Sequence, residues 1–495
     1  MSTGPQPVAP PRDVVPRHVV VVGAGVAGLG TALTMSRAGH RVTLIERDPT
    51  PLPESPAAAF YWDRRGAPQV RHSHALLARL RNLLRDGYPD VLERLLQAGA
   101  TEIRFCDNPP PEMADRQPRD GDEDLVALAC RRTTFEWTLR TIVVALHDVT
   151  LLHGTAVDAL TATQQDGRVR VNGVVTDGGQ TIDADTVVAA LGRRSAVPRW
   201  LRAHGVELAS EEEDTGIVYL SRFYELHADS DLPETNGPIG GDLGYLKYGV
   251  FLGDNRTYSV TLAVQTDDDE LRRMLLDPDS FDRAARTLPA TAMWAEAGRA
   301  DAITPVEVMG GLLNRRVRYV DEHGDPFVLG LHAVGDAHTC TNPLYGRGCS
   351  LAMVQADLLA RAMREYGTDA LERGRSYEAA CSQEVLPWYR ASVHQDRMNR
   401  QRAAREASGD ESPPGDPSEF AQQVMRDGLM PAVRTDPEVF RAFIRTFNLL
   451  SAPDALLTDA DVFGRVLAAF QDRDNRPPEP VLGPPRPQML EALLV

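Results

Sequence analysis

A β-branched run at residues 18–22 breaks into Gly23-Ala24-Gly25-Val26-Ala27-Gly28, and residues 29–38 then have helical composition before Gly39 closes the segment. A second extended run at 41–45 ends in Glu46. This order is one complete βαβ unit, and it commits the N-terminal part of the chain to a parallel sheet flanked by helices. Gly23 permits the tight turn, Gly25 lets a pyrophosphate approach the backbone, and Gly28 lets helix and strand pack closely. The exposed amides and the helix dipole at this turn favour an anion. Glu46, 18 residues past Gly28, is placed to accept from a ribose hydroxyl, and Arg47 follows it at the same end of the site. The competing reading is that the glycines only relieve packing. The motif by itself does not choose between NAD and FAD.

The 495-residue chain has room for two or three domains. After a Pro-, Ala- and Arg-rich loop at 49–71, helices are expected at 74–84 and 133–146. Residues 149–191 alternate as strands with turns at Asp166-Gly167 and Asp177-Gly178-Gly179, a hairpin returning to the nucleotide sheet. Residues 216–225, 245–252 and 257–264 form a second, antiparallel sheet of the kind that walls a substrate pocket. A helical interlude spans 267–298, one strand spans 327–334, and helices fill 351–404 and 418–472 around a linker at 407–417, before a Pro-rich tail. The division that follows is a flexible leader at 1–16, a first part of the nucleotide domain at 17–210, a substrate-binding sheet domain at 211–310, a second nucleotide part at 311–365 and a helical C-terminal region at 366–495.

Acidic residues outnumber basic ones 70 to 53, so the surface repels phosphate backbones and nucleic acid is not an expected partner. Five cysteines without a C-x-x-C pair argue against a disulfide framework or structural zinc, and a reducing cytosol fits best. The leader lacks the apolar run of a signal peptide, and the apolar stretch at 19–33 carries four glycines, so no transmembrane segment is expected and the protein is placed in the cytoplasm.

The second motif is Gly335-Asp336-Ala337 after a strand, followed by Pro343, Gly346 and Gly348 at offsets that open a helix near Gly348. Here the sequence resembles the class A flavoprotein monooxygenases, of para-hydroxybenzoate hydroxylase fold. The resemblance implies FAD as cofactor, Asp336 on the ribityl chain, and a helix start at 346–350 aimed at the flavin N1 and C2 carbonyl, where reduced flavin carries negative charge. Ala129-Cys130-Arg131-Arg132 before a helix resembles the family arginine that contacts FAD, with Arg132 the better aligned. The run Gly66-Ala67-Pro68-Gln69-Val70-Arg71-His72-Ser73-His74, with Asn342-Pro343-Leu344-Tyr345-Gly346, looks most like the subgroup of bacterial polyether-type epoxidases and, more distantly, geranylgeranyl reductases. The likeness covers roughly 17–360. It implies an α/β, Rossmann-like FAD-binding domain with an antiparallel substrate sheet and a helical C-terminal region.

One departure matters. The Asp-Gly element that this family uses toward FAD and NADPH reads Ala190-Leu191-Gly192-Arg193-Arg194-Ser195 here, so the electron donor is either NADPH or a separate flavin reductase. No residue is assigned as catalytic. His72 and His74 make a poor metal pair and stand as hydrogen-bonding, proton-relay or structural groups. Tyr345 is a pocket-lining or packed tyrosine. Arg222 either steers a substrate carbonyl or carboxylate or is solvated. Cys340 and Cys349 are small apolar fillers.

The function implied is epoxidation or hydroxylation of a largely apolar secondary metabolite through a flavin C4a-hydroperoxide, with molecular oxygen as co-substrate. The alternatives are a reductase or dehydrogenase of the geranylgeranyl reductase type, a halogenase and a non-catalytic flavin-binding protein. Halogenation is the weaker, because the W-x-W-x-I-P element is absent and Lys247 is the chain's one lysine.

Overall fold

The computed structural model describes residues 15–233, 239–408, 420, 423–475 and 481–494. Most of the expected leader and of the linker at 407–417 lies outside them. The expected βαβ unit forms as His18–Val22, Val26–Arg37 and Arg41–Glu46. These strands belong to a five-stranded parallel sheet in the order Leu331–Ala333, Thr186–Ala189, His18–Val22, Arg41–Glu46, Val149–His153. Both faces are covered, so residues 19–22 of the first strand run apolar without alternation. The helix Gly348–Tyr366 packs across Val26–Arg37 at Gly30, where any side chain would meet Met353 Sδ.

Residues 157–165 and 168–176 form the expected hairpin, but in a four-stranded sheet separate from the nucleotide sheet. The strand expected at 327–334 is in fact two. Val328–Leu329 pairs with this hairpin and Leu331–Ala333 with the nucleotide sheet. Gly330 between them has φ +74° and lies against the Val171 carbonyl, so the chain turns there from one sheet to the other. The helix expected at 74–84 starts later, at Ala78–Gly87, because Leu76 first bridges to Leu128.

The second sheet is antiparallel, built on Ile217–Leu226, Thr257–Gln265 and Leu246–Leu252, with Gly240–Asp242, Ala300–Ala302 and Glu307–Met309 at its margins. Val218, Leu220 and Tyr224 face a core shared with Phe281, Ala284 and Trp294, whereas Tyr219 and Ser221 face the opposite way. The helices after 366 do not form one unit. Ala370–Glu384 and the start of Leu386–Ser408 bury Tyr377, Cys381 and Trp388 in the nucleotide core. Pro437–Phe447 packs with Val462, Val466, Met113 and Leu125. The tail is not merely Pro-rich: Arg486–Leu494 is a helix that buries Met489 and Leu493 against the substrate sheet's core.

Candidate active site

The two glycine motifs, far apart in the chain, meet at one end of the parallel sheet. A side chain on Gly335 (φ +62°) would strike Ala27, so the second motif sits directly on the first helical turn after Gly25. The glycines themselves divide. A Cβ on Gly28 would lie 1.7 Å from the Gly23 carbonyl oxygen, and one on Gly23 would lie 2.5 Å from that of Ala190, whereas Gly25 and Gly348 open onto space with nothing within 4 Å. The helix following each open glycine lacks a side-chain cap and carries no acid in its first turn. Their first amides therefore have no side-chain cap among the described residues and are left to face that space.

Glu46 ends the second strand with its carboxylate turned back toward the turn, accepting from Ala24 N at 3.0 Å and Asp48 N at 2.9 Å. No sequence signal marks the residue that holds it. Arg64, buried, bonds Asp48 at 3.0 Å, Glu136 at 2.7 Å and Glu46 at 3.4 Å, and its guanidinium lies over Trp62. Glu136 is fully buried and also pairs with Arg132 at 3.3 Å, one helical turn back. That i,i+4 spacing was the signal available for Glu136; nothing distinguished Arg64 among 52 arginines. Arg47 is exposed beside Gly66.

Of the paired arginines, Arg131 is bound to Asp254 and stacks on Phe60, so it is structural. Arg132 instead reaches His74 Nε2 and Cys349 Sγ, both at 3.5 Å. Burial pushes the Asp336 carboxyl up, while Arg132, Arg193 and Arg315 around it pull it down. Arg193, from the stretch 190–195, thus faces the second motif. Among the described residues, Arg315 keeps two buried guanidinium nitrogens, and Ser350 its buried hydroxyl, without a partner. Uncapped helix starts, open glycines, an acid ringed by arginines and orphaned donors are what a bound dinucleotide with an electron-poor ring would satisfy. The residues present fit FAD.

Beside the Pro343–Tyr345 turn, with Gly346 (φ +64°) closing it, lies a cavity of about 530 Å³. Tyr345, His72, Tyr219 and Ser221 line it, and Phe443 and Phe447 of the C-terminal region form a wall. The turn is tied down by a carboxylate that sequence reading missed. Asp396 accepts from Asn342 Nδ2 at 2.9 Å, Tyr345 OH at 3.0 Å and Asn314 Nδ2 at 2.6 Å, and burial raises its carboxyl. Tyr345 is both a lining residue and this turn's tether.

Burial, with Arg193 nearby, pushes His72 down to about 4, and burial with Arg132 pushes His74 down to about 3. Both imidazoles are neutral at physiological pH. His74 Nδ1 bonds the His72 carbonyl, while His72 Nδ1 turns to Ser221, so the two rings serve different partners. Among the described residues no group of three or more His, Cys, Asp or Glu gathers as metal ligands. Cys340 and Cys349 are free thiols. Arg222 does not reach the cavity. It lies on the other face of its strand, bound to Asp282 at 2.8 Å and to the Thr304 carbonyl, because side chains alternate along the sheet. Lys247 does line the cavity, in a close pair with Asp242.

The pyridine nucleotide-disulphide oxidoreductase family matches residues 7–71. Protein Rv3254 of Mycobacterium tuberculosis is 27% identical over 488 residues, covering 93% of this chain and 94% of that one. Among solved structures, pqsL, a probable FAD-dependent monooxygenase from Pseudomonas aeruginosa, superposes with a TM-score of 0.55 at 18% identity, over 78% of this chain and 96% of that one. The fold is that of the class A flavoprotein monooxygenases. The flavin-dependent brominase Bmp2 shares it, with a TM-score of 0.57 at 16% identity over 92% of this chain and 99% of its own. Among the described residues of this class A fold, no helix is long and apolar enough to cross a membrane.

Proposed function

We propose that this protein is an FAD-dependent monooxygenase that epoxidises or hydroxylates a largely apolar small molecule, with molecular oxygen as co-substrate. The observation that carries the reading is the placement of the cavity, which shares the Pro343–Gly346 turn with the uncapped helix start at Gly348. When bound, FAD supplies the redox chemistry and, in its reduced form, the activation of oxygen. The chain's own residues do the rest. The amides after Gly25 hold the diphosphate, Asp336 and Arg132 the ribityl side, and the amides after Gly348 favour negative charge on the ring. The Asp396 tether fixes the turn between cofactor and cavity, and the aromatic walls exclude water that would divert activated oxygen to hydrogen peroxide. The lack of an acid in Ala190-Leu191-Gly192-Arg193-Arg194-Ser195 favours delivery of electrons by a separate flavin reductase over direct use of NADPH.

The test is reoxidation of the reduced holoenzyme against a panel of polyketide, terpenoid and phenolic compounds, with NADPH alone compared with an added reductase. One oxygen consumed per product is expected. Turnover without oxygen would favour a reductase or dehydrogenase instead, and bound FAD that no compound stimulates would favour a non-catalytic flavoprotein. A second reading, halogenation, is favoured by one observation, Lys247 in the cavity wall. A bromide- or chloride-dependent product that vanishes in Lys247→Ala would establish it; the pairing with Asp242 argues that none will form.

A further inference from the structure

The cavity wall carries a continuous line of hydroxyls that none of the roles above uses. Ser259 Oγ lies 2.7 Å from Ser73 Oγ, Ser73 Oγ 2.6 Å from Thr261 Oγ1, and Thr261 Oγ1 2.9 Å from Ser221 Oγ. The line ends on His72 Nδ1, 3.4 Å from Ser221. Ser73, Ser221, Thr261 and His72 all border the cavity. Three strands of chain converge to make it: the loop before the helix Ala78–Gly87, and the paired strands Ile217–Leu226 and Thr257–Gln265, where Ser221 stands opposite Thr261.

A count of protons shows what the line offers. Each hydroxyl carries one proton, and a neutral imidazole carries one. Burial of His72 beside Arg193 keeps it neutral at physiological pH. Five protons therefore serve four contacts, and one polar hydrogen is left at an end. If the line points toward His72, Nδ1 accepts and Nε2 carries a free N–H. If it points away, Nδ1 donates and Nε2 becomes a free acceptor. His72 Nε2 takes no partner among the described residues, so reversing the line switches it between donor and acceptor without any change of charge.

The rest of the lining is mixed but nowhere carries an unpaired charge. Met309, Leu344, Phe251, Phe443 and Phe447 are apolar, Gln395, Asn399 and three tyrosines are neutral and polar, and the two charged lining residues, Asp242 and Lys247, pair with each other. An ionised group entering this cavity would have to break that pair or go unpaired, which is costly.

We propose that the hydroxyl line ending on His72 is the anchoring subsite of the cavity, and that it takes the hydroxyl or carbonyl oxygen of an uncharged, otherwise apolar substrate. The proposal rests on the reading of this cavity as the substrate site. It goes beyond that reading in naming the functional group recognised and the residues that recognise it.

The experiment is calorimetric titration of the FAD-loaded protein at pH 7.5 with 2-naphthol, naphthalene and 2-naphthoate, read as binding without turnover. In the wild type, 2-naphthol is expected to bind at least about tenfold more tightly than 2-naphthoate, a ratio equivalent to one net hydrogen bond and an unpaired charge. In His72→Phe and in Ser221→Ala the Kd for 2-naphthol is expected to rise about tenfold, while that for naphthalene stays within about twofold. Retained FAD and an unchanged melting temperature identify folded variants, and the wild-type ranking tests the proposal even if neither variant folds. Tighter binding of 2-naphthoate than of 2-naphthol overturns it, as does a 2-naphthol Kd unmoved in both folded variants. Because no oxygen consumption is read, a protein that anchors 2-naphthol but oxygenates nothing would sink the monooxygenase reading and leave the anchor standing.

Discussion

Gly25 and Gly28 stand three residues apart and answer to different constraints. Gly28 is held by the protein itself, since its missing Cβ would overlap the Gly23 carbonyl. Gly28→Ala is therefore expected to cost more than about 4 kcal/mol, in the class of severe overpacking, and to yield insoluble protein. Gly25 has extended backbone with φ −80° and open space around it. Gly25→Val is expected to leave the apoprotein's melting temperature within a few degrees while lowering FAD affinity more than tenfold; a yellow variant of unchanged affinity would refute the diphosphate's placement. Arg64 is a third kind of residue, one cation among the buried acids Glu46, Asp48 and Glu136. Replacing it with Met removes the ion pairs of Glu46 and Asp48 and leaves Glu136 with Arg132 alone, and a loss of about 3–5 kcal/mol is expected by urea unfolding. The glycines were readable because their spacing is local. Arg64 was not, because its meaning comes from three acids on separate segments.

At the scale of elements, the alternation along 216–225 predicted a sheet correctly but left open which face was the pocket. Only the core built by Phe281 and Trp294 on one side decided that Tyr219 and Ser221 face the cavity and Arg222 does not. The C-terminal helix shows the reverse failure. Its flanking prolines hid a segment whose Met489 and Leu493 are buried, whose Arg486 binds Asp268 at 2.7 Å, and whose approach is fixed by Tyr245 OH on the Pro484 carbonyl at 2.8 Å. Ending the chain before Val481 is expected to destabilise the protein by about 3–6 kcal/mol, from two fully buried apolar side chains. An unchanged urea midpoint in the truncated protein would show that the helix is an ornament of the sheet rather than part of its core.

For the whole molecule, four histidines pushed far below their ordinary value contribute a common response to acid. His40 and His72 are pushed down to about 4, His74 and His332 to about 3, burial being the main cause at each. Below the ordinary value of 6.5 the unfolded chain takes up protons that the folded one refuses. Stability is thus complete above pH 6.5 and falls as pH drops toward 4, by about 1.4 kcal/mol per pH unit for each histidine. Urea midpoints at pH 7.5, 6.0 and 5.0 should show this fall, and His40→Gln should make it shallower by one proton; equal slopes would be the contrary result. The sequence by itself determined the nucleotide half of this protein, because a βαβ turn, its glycines and a glycine-flanked helix start are short-range demands of backbone geometry. What only the tertiary structure decided is the substrate half: the cavity, the Asp396 tether, the hydroxyl line and the phenylalanine wall. These draw single residues from strands, loops and helices hundreds of positions apart, and no local periodicity records which of them will meet.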